Sequence, residues 1–225
     1  MLNKQKGNMY DFVTHTWNPI RGKCPHECVY CYMKRFPVGK LRLDDKELTL
    51  DLGRDKKIFV GSSTDMFADE VSKVDIEDVL KHCGKYLGNT YYFQSKNPGR
   101  FLSFVTYLNQ ISNCYIGTTI ESNIEYPVSN APTPIRRYEY MKMLRKMFFN
   151  VFISIEPIMN FDLEVIVGWI KNIRPVFVSI GAESKRNKLI EPNSDKIMAL
   201  IDRIKGITEV KQKNNLKRLL KQDLK

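Results

Sequence analysis

Short apolar runs alternate with amphipathic helical patterns along most of the 225-residue chain. Runs that are almost continuously apolar are typical of strands buried on both faces of a parallel sheet. Six such runs predict strands at residues 11–17, 57–61, 90–94, 115–120, 151–155 and 176–180. The pattern therefore indicates a parallel sheet whose faces are covered by helices.

Helical spacing fills the intervals between the predicted strands. After the second strand, apolar residues recur at i, i+3, i+4 and i+7, the spacing of one buried helix face. The residues on this face are Ile76, Val79, Leu80, Cys83 and Leu87. This interval is therefore predicted to be an amphipathic helix.

Candidate capping residues mark the starts of later helices. Asn97 precedes Pro98, a pair typical of a first helical turn, while Asp162 and Ser194 precede further apolar repeats. Between the fourth and fifth strands, another helix has a buried face that ends at Phe148. Six strand–helix repeats without a break predict an α/β fold, a partial (β/α)6 TIM-type barrel with parallel strands. We expect it to form a single domain spanning residues 1–225.

Polar side chains follow the predicted strands, at the point where each strand ends. In parallel α/β folds, this edge carries the ligand-binding and catalytic groups. The residues at these positions are Ser62, Ser63, Asp65, Lys96, Thr118, Glu121, Glu156 and Glu183. One alternative is an ion-pair lattice that only holds the strand ends together, formed by Lys96, Glu156, Glu183, Lys211 and Lys213.

Three of the five cysteines, Cys24, Cys28 and Cys31, lie in the segment K-C-P-H-E-C-V-Y-C-Y after the first predicted strand. A structural zinc site needs four ligands, and His26 is an awkward fourth because only one residue separates it from Cys24. Three thiolates with an open position fit an iron–sulfur cluster better, since one iron then stays free for another ligand. The other two cysteines are predicted to pack in the core.

The spacing C-x-x-x-C-x-aromatic-C after a first strand resembles that of the radical S-adenosylmethionine (SAM) superfamily. The resemblance implies that Cys24, Cys28 and Cys31 hold a [4Fe–4S] cluster whose free iron binds SAM. It implies that one electron cleaves SAM to a 5′-deoxyadenosyl radical, with Tyr30 near the adenine. It also implies an electron donor such as flavodoxin or ferredoxin as a partner.

Further segments are similar to a phage-associated radical SAM family of undetermined function. They are T-W-N-P before the cysteines, and then G-S-S-T-D-M-F, G-T-T-I-E-S, S-I-E-P and G-A-E-S at the ends of strands. The terminal K-Q-K-N-N-L-K-R-L is also similar to the closing segment of that family. One departure from the superfamily concerns the G-G-E motif after the second strand, which usually holds the SAM amino group. Here that position reads G-S-S-T-D, residues 61–65.

The strand-end residues divide into two predicted groups, by their positions along the chain. Those predicted to bind SAM are Tyr30, Ser62, Ser63, Thr118 and Glu121. Those predicted to be catalytic and to face the substrate are Asp65, Lys96, Glu156 and Glu183.

The chain carries 36 Lys and Arg against 25 Asp and Glu, a formal net charge of +11. Part of this excess lies in a basic C-terminal segment, residues 203–225. We expect that segment to dock through Leu216, Leu219 and Leu220 and to neutralise nucleic-acid phosphates. The function expected from these features is a radical SAM enzyme that modifies or repairs a nucleic acid. Two alternatives stay open: a radical SAM enzyme acting on a peptide or small metabolite, and a non-catalytic, zinc-stabilised nucleic-acid-binding module.

No apolar run approaches the roughly 20 residues of a membrane span, and the N-terminus lacks the apolar core of a signal peptide. We therefore expect a cytoplasmic protein without a membrane partner. The three histidines form no catalytic pattern. His15 is expected within the first strand, His26 beside the cysteines or exposed, and His82 on the surface.

Overall fold

The computed structural model describes residues 1–5 and 9–220, and the chain divides into two compact units. The first comprises Met1–Ile116 and Ser129–Ala131, and the second comprises Gly117–Val128 and Pro132–Lys225. Each unit combines strands with helices, as the alternating pattern predicts. The single domain stays a prediction. Lys221 and the rest of residues 221–225, the end of the basic C-terminal segment, lie outside the described residues.

The strands of the first unit form a mostly parallel sheet and a small separate pair. They are β1 (Asn3–Lys4), β2 (His15–Trp17), β3 (Ile20–Arg21), β4 (Arg42–Leu43), β5 (Lys57–Val60), β6 (Thr90–Gln94) and the start of β7 (Cys114–Thr119). In this unit the sheet order is β1-β2-β5-β6-β7, and β3 pairs only with β4. β2, β5 and β6 pair in parallel, whereas β1 is antiparallel to β2.

Helical segments connect these strands. They are α1 (Lys73–Gly84), α2 (Val105–Asn109) and three 3-10 helices at Tyr32–Arg35, Asp45–Thr49 and Pro98–Phe104. Asn97 precedes Pro98 at the start of a helix, as predicted, but this helix is the 3-10 segment. The Asn97 side chain makes no capping bond and instead donates to Phe67 O and Asp69 Oδ1. No helix in the described part of the chain is long and apolar enough to cross a membrane.

Alternate residues of β6 pack on opposite faces of the sheet, because side chains point to alternate sides of a strand. On one face, Phe93 contacts Phe67 edge-on at 6.1 Å, and Phe67 in turn packs against Phe101 at 4.5 Å. On the other face, Tyr92 stacks on Tyr115 with ring centroids 4.9 Å apart. Both faces of this sheet are therefore apolar, which is why its strands read as continuous apolar runs.

The second unit continues from the end of β7. Its strands are β8 (Asn150–Ile155), β9 (Phe177–Ile180) and β10 (Glu209–Gln212), and its helices are α3 (Pro134–Lys146), α4 (Leu163–Ile173), α5 (Ser194–Lys205) and α6 (Lys217–Leu220). The sheet order is β7-β8-β9-β10, with β8, β9 and β10 paired in parallel. β10 was not predicted, because Glu-Val-Lys-Gln is not an apolar run.

Gly117 allows the aromatic layer of the second unit to form. A Cβ at this position would lie 2.4 Å from the ring of Phe152, so any side chain here would displace that ring. Phe152 stacks on Phe177 with ring centroids 5.0 Å apart, and Lys211 Nζ lies 5.2 Å from the Phe177 centroid. The small residue in the G-T-T-I-E-S segment is therefore a packing requirement.

Several predicted element ends differ from the structure. The first predicted strand, 11–17, shortens to β2, because a turn joins Val13 N to Tyr10 O. Leu87 is 44% exposed beyond the end of α1, and Phe148 is 92% exposed with φ 66° beyond the end of α3. In both cases the apolar spacing continues past the residue at which the helix stops.

The predicted caps of the two later helices differ in outcome. Asp162 accepts a hydrogen bond from Val165 N at 3.1 Å and caps α4, as predicted. The cap of α5 is Asn193 rather than Ser194, because the Asn193 side chain accepts from Lys196 N at 2.9 Å. The helix therefore begins one residue earlier than predicted.

His82 is buried, so the prediction that it lies on the surface is wrong. Its Nε2 donates to Leu50 O at 2.9 Å, and its ring lies 5.3 Å from that of Trp17. The residues around Leu50 come from the long connector before β5, which helical periodicity in α1 does not reveal. Burial lowers the pKa of His82, although its hydrogen bond to Leu50 acts in the opposite direction.

We predict that His82 makes the folded protein sensitive to mild acid. Its folded pKa lies below the unfolded value of about 6.5, so the unfolded chain binds the proton more readily. The contribution of neutral His82 to folding stability is fully present above pH 6.5 and is lost as the pH falls below that value. Urea unfolding at pH 7.5, 6.5 and 5.5 should show a smaller loss of stability in His82→Gln than in the wild type. Parallel pH dependences in the two proteins would contradict this.

Candidate functional site

In the first unit, the cysteine segment forms two tight turns after β3. Cys24 O accepts from Glu27 N at 3.3 Å, and Cys28 O accepts from Cys31 N at 3.1 Å. None of the three cysteines forms a disulfide within the described part of the chain, and Cys28 is buried whereas the other two are partly exposed. The turns therefore hold three reduced sulfurs on one short, ordered segment.

The sulfur of Cys24 is surrounded by hydrogen-bond donors. Burial raises the pKa of its thiol to about 11, and the charges of Asp65 and Cys28 act in the same direction. Backbone N–H groups of Asp65 and His26 oppose this shift by donating to the sulfur. Such N–H groups are one of the means by which proteins tune iron–sulfur clusters. The environment of Cys24 therefore fits a cluster ligand.

His26 does not complete a four-ligand site with the thiols. Its Nε2 lies 2.8 Å from Asp65 Oδ2, and both side chains are buried. In residues 1–5 and 9–220, no three His, Cys, Asp or Glu side chains are grouped to hold a metal ion. A mononuclear site needs ligands that converge on one point, whereas a cluster spreads its cysteines over separate irons. His26 is therefore engaged by Asp65, and the cysteine segment offers three thiols without a fourth ligand from His26.

Asp65 receives hydrogen bonds at both carboxylate oxygens. Oδ2 accepts from His26 Nε2 at 2.8 Å, Ser95 Oγ at 3.0 Å and Lys96 N at 2.8 Å. Oδ1 accepts from Phe67 N at 3.0 Å. Burial alone would raise the pKa of Asp65, but these bonds and the His26 charge hold it below its usual value. The carboxylate thus joins the cysteine segment to the ends of β5 and β6.

Tyr30 and Lys96 are brought together. Lys96 Nζ donates to Tyr30 OH at 2.7 Å and lies 5.2 Å from the centroid of the tyrosine ring. Lys96 follows β6 directly, and its backbone N–H bonds to Asp65. A predicted SAM-binding residue and a predicted catalytic residue are therefore neighbours at the cysteine segment, although their roles stay predictions.

The residues after β5 are positioned by Asn18. Asn18 Oδ1 accepts from Ser62 Oγ and from Ser63 N, each at 3.0 Å. Ser62 O accepts from Tyr32 OH at 2.8 Å. Gly61, with φ 81°, provides the left-handed residue that starts this turn. The two predicted SAM-binding serines therefore lie on a fixed turn held by Asn18 and Tyr32.

In the second unit, the end of β7 carries a buried ion pair. Glu121 Oε2 lies 2.8 Å from Arg137 Nη1, and both side chains are 3% exposed. Arg137 also donates to Thr119 O at 2.6 Å and to Pro132 O at 2.7 Å. Thr118 is fully buried. Arg137 therefore fixes the loop that holds Glu121, while the roles of Thr118 and Glu121 toward SAM stay predictions.

Glu156 follows β8, and its carboxylate lies beside Gly181, the residue after β9. Its carboxylate pairs with Lys213 Nζ at 2.8 Å and accepts from Asn215 Nδ2 at 3.1 Å. A Cβ on Gly181 would lie 2.8 Å from this carboxylate, so glycine is needed where Glu156 crosses. The predicted substrate-facing residue thus belongs to a polar cluster at the strand ends of the second unit.

Glu183 organises the loop after β9. Its carboxylate accepts from the backbone N–H groups of Lys185 and Asn187, the latter at 3.0 Å, and from Asn187 Nδ2 at 2.8 Å. Burial raises the pKa of Glu183, but these hydrogen bonds outweigh it and hold the pKa below its usual value. Its predicted catalytic role is untested. The geometry gives it a loop-stabilising role.

The basic C-terminal segment folds onto the strand ends of the second unit. Leu216 and Leu219 are each 1% exposed, and Lys213 N donates to Ile180 O at 2.8 Å. Two of its cations are paired, however: Lys213 with Glu156, and Arg218 with Glu191 through Nη1 at 2.9 Å. These two side chains therefore do not form a free row of phosphate-binding charges.

Sequence reasoning missed several residues that organise these sites. Asn18 and Asn215 lie in segments that the family resemblance had marked, T-W-N-P and K-Q-K-N-N-L-K-R-L, so a signal for them existed. Ser95 and Arg137 had none, because a serine after a strand and an arginine in a helix are common. Their importance depends on contacts with distant parts of the chain.

Comparisons with known proteins found relatives by structure only. A scan against family models and a sequence search of curated proteins gave no match. A spore photoproduct lyase variant with bound AdoMet and dinucleoside spore photoproduct aligns with a TM-score of 0.65 and 8% identity, over 92% of this chain and 80% of that one.

A second similar protein is SuiB of Streptococcus suis. Its complex with S-adenosylmethionine aligns with a TM-score of 0.67 and 11% identity, over 93% of this chain and 52% of SuiB. Its complex with the precursor peptide SuiA gives 0.65 and 11%, over 88% and 48%. This chain thus spans about half the length of SuiB.

These neighbours are radical SAM enzymes, so the chain has a fold similar to their partial barrels. The predicted α/β class with a mostly parallel sheet is therefore confirmed. At identities of 8–11%, the similarity concerns the fold.

We predict that Asp65→Asn lowers stability even without substrate or cofactor. An amide has one acceptor oxygen in place of the two that serve His26, Ser95, Lys96 and Phe67. A buried donor left without its acceptor costs about 1–3 kcal/mol, so we expect a loss of about 2 kcal/mol or more. Anaerobic urea unfolding of the metal-free protein measures it.

Asp69→Asn is the matched control for this prediction. Asp69 lies four residues further along the same loop, and its side chain is 83% exposed. The control should change stability by no more than about 0.5 kcal/mol. If Asp65→Asn were as stable as the control, the carboxylate would not be holding the cysteine segment in place.

Proposed function

We propose that this protein is a radical SAM enzyme. The observation that carries the proposal is the cysteine segment: three thiols on two tight turns, with two N–H groups directed at the sulfur of Cys24. The segment comes after β2, a strand of the parallel sheet, with the short strand β3 between them, in a fold similar to that of radical SAM enzymes. A three-thiolate site of this kind leaves one cluster iron for SAM.

Cys24, Cys28 and Cys31 would hold a [4Fe–4S] cluster. Bound there with SAM, it would supply the electron for reductive cleavage to methionine and a 5′-deoxyadenosyl radical. The chain's own contribution is to orient and enclose the reactants, as is usual when a cofactor carries the chemistry. The His26–Asp65 contact fixes the cysteine segment against the ends of β5 and β6.

Tyr30 and the serines after β5 are the proposed SAM contacts of the first unit. Lys96 holds the Tyr30 hydroxyl at 2.7 Å, which restrains the ring next to Cys31. Asn18 restrains Ser62 and Ser63, whose turn occupies the position of the superfamily's G-G-E motif. Both contacts restrain the site before SAM arrives, which lowers the ordering cost of binding.

Thr118 and Glu121 are the proposed SAM contacts of the second unit. Arg137 fixes the Glu121 carboxylate within a buried ion pair. A fixed, charged acceptor is suited to a ribose hydroxyl, since hydrogen bonds to charged groups are stronger than neutral ones. Glu156 and Glu183 remain proposed substrate-facing residues, together with Asp65 and Lys96 of the first unit.

For the substrate we propose a nucleic acid. Support comes from the net charge of +11 and from the similar fold of spore photoproduct lyase, solved with a dinucleoside photoproduct. A peptide is the second candidate, because SuiB was solved with a precursor peptide. Membership of the phage-associated radical SAM family is a finer proposal that rests on the strand-end sequence segments alone.

We predict that anaerobic reconstitution loads about four irons and four sulfides per chain. The triple variant Cys24→Ala/Cys28→Ala/Cys31→Ala should lose both, because it removes every proposed ligand. The matched control is Cys83→Ser/Cys114→Ser, which changes the two cysteines buried elsewhere in the first unit and should keep the cluster if folded. Stoichiometric zinc without iron would instead support the zinc-stabilised module.

Reduced by dithionite, the loaded protein is predicted to convert SAM to 5′-deoxyadenosine and methionine, detected by chromatography. Adding oligonucleotides, transfer RNA and peptide pools then tests the substrate class through SAM-dependent mass changes. Modification of a nucleic acid is the expected result. Modification of peptides alone would favour the second candidate, and methyl transfer without 5′-deoxyadenosine would contradict the radical mechanism.

A further inference from the structure

An exposed segment follows the cysteines directly. We call residues 32–42 the basic strip. Residues 34–40 are all exposed, and no side chain of its 3-10 helix, Tyr32–Arg35, is buried. Apolar groups are open to solvent along it: Tyr32 is 44% exposed, Phe36 56% and Val38 39%. Adjacent exposed apolar side chains of this size are typical of an interaction surface.

The strip is also strongly basic. It contains Lys34, Arg35, Lys40 and Arg42, and no acidic residue lies between Glu27 and Asp44. Among the residues that the structure describes, none of these four cations forms an ion pair with a carboxylate. Glu27, whose pKa the charge of Lys34 helps to lower, is paired with Lys23. The basic C-terminal segment differs, because Lys213 and Arg218 are paired with glutamates. The strip therefore presents unneutralised positive charge.

The strip adjoins the cysteine segment at both ends. Lys34 N donates to Cys31 O at 3.2 Å, so the 3-10 helix continues from the last cysteine. Lys23 N, next to Cys24, donates to Gly39 O at 3.0 Å. β3 and β4 close this loop by antiparallel pairing. A protein seated on the strip would therefore lie against the segment that carries the proposed cluster ligands.

We propose that the basic strip is the docking surface for a small acidic electron-donor protein. The proposal rests on the proposed function, because radical SAM chemistry needs one electron at the cluster for each cleavage. The reduced donor loses one electron and the iron–sulfur centre gains it, with no atom transferred. Electron transfer weakens steeply with distance, so the donor must dock beside the cysteine segment.

Charge and size both suit such a partner. An acidic protein is complementary to four unpaired cations, and electrostatic steering raises encounter rates at low salt. Electron-transfer encounters use small interfaces, often under about 1,200 Å², and are weak. Exposed Phe36 and Val38 lie between Arg35 and Lys40 along the chain and supply a short apolar contact. Nucleic acid would also be attracted by the cations, and the experiment separates the two partners.

The test compares two reductants on one variant. Lys34→Glu/Arg35→Glu/Lys40→Glu reverses three charges of the strip and leaves the cysteines intact. With reduced flavodoxin as donor at low salt, its rate of 5′-deoxyadenosine formation should fall about tenfold or more, because steering is lost. With dithionite, which needs no docking surface, the rate should stay within about twofold of the wild type.

The matched control is Arg136→Glu/Lys146→Glu/Lys171→Glu. It makes the same charge change at exposed positions of α3 and α4, and should leave both rates unchanged. Phe36→Ser/Val38→Ser is a second variant, which keeps the charges and removes the apolar contact. It should also lower only the flavodoxin-driven rate. It replaces the charge-reversed variant as the test if that variant loads no iron.

Three outcomes would overturn the proposal. They are an unchanged flavodoxin-driven rate in both strip variants, an equal fall with both reductants, and a fall as large in the control. Loss of oligonucleotide binding with an unchanged flavodoxin-driven rate would identify a nucleic-acid surface instead. Failure of the proposed function is distinct, because the wild type would then lack iron or form no 5′-deoxyadenosine with dithionite.

Discussion

The carboxylate of Asp65 is where three stretches of the first unit meet. It accepts hydrogen bonds from His26 in the cysteine segment, from Phe67 in its own loop, and from Ser95 and Lys96 after β6. The cysteine segment has few apolar side chains to bury, so packing alone cannot fix it. A buried carboxylate with both oxygens engaged supplies that constraint, and Tyr30 then meets Lys96 at a fixed position.

Carboxylates at other strand ends are also fixed by hydrogen bonds or ion pairs. In the second unit, Glu121 is fixed by Arg137, Glu156 by Lys213 and Asn215, and Glu183 by backbone N–H groups of its loop. From the sequence, an ion-pair lattice and a functional edge were alternative interpretations of the strand-end polar residues. They are compatible, because catalytic groups need fixed geometry and a network of hydrogen bonds provides it.

The structure also changes the interpretation of the positive charge. The net charge of +11 directed attention to the C-terminal segment, where basic residues are most concentrated. Folding pairs Lys213 and Arg218 of that segment with carboxylates. The cations of the basic strip, in contrast, form no ion pair among the described residues. The number of charges is a property of the sequence. Which of them remain open to a partner depends on the acids that folding brings beside them.

The strands and the cluster ligands were predictable because their signals are local. Apolar runs located β5 to β9 to within a residue or two, and the spacing of Cys24, Cys28 and Cys31 defined a three-thiolate site by itself. The position of polar residues after each strand also followed from the strand pattern. What decided each of these was contained in fewer than ten consecutive residues.

The tertiary structure alone decided the partners of those polar residues. Asp65 meets His26 across 39 positions, Glu156 meets Lys213 across 57, and buried His82 depends on a connector 32 positions earlier. β10 forms because β9 offers it an edge, although its own sequence is not apolar. Periodicity reports which face of an element is buried, but not what lies opposite. That is determined by how distant segments pack.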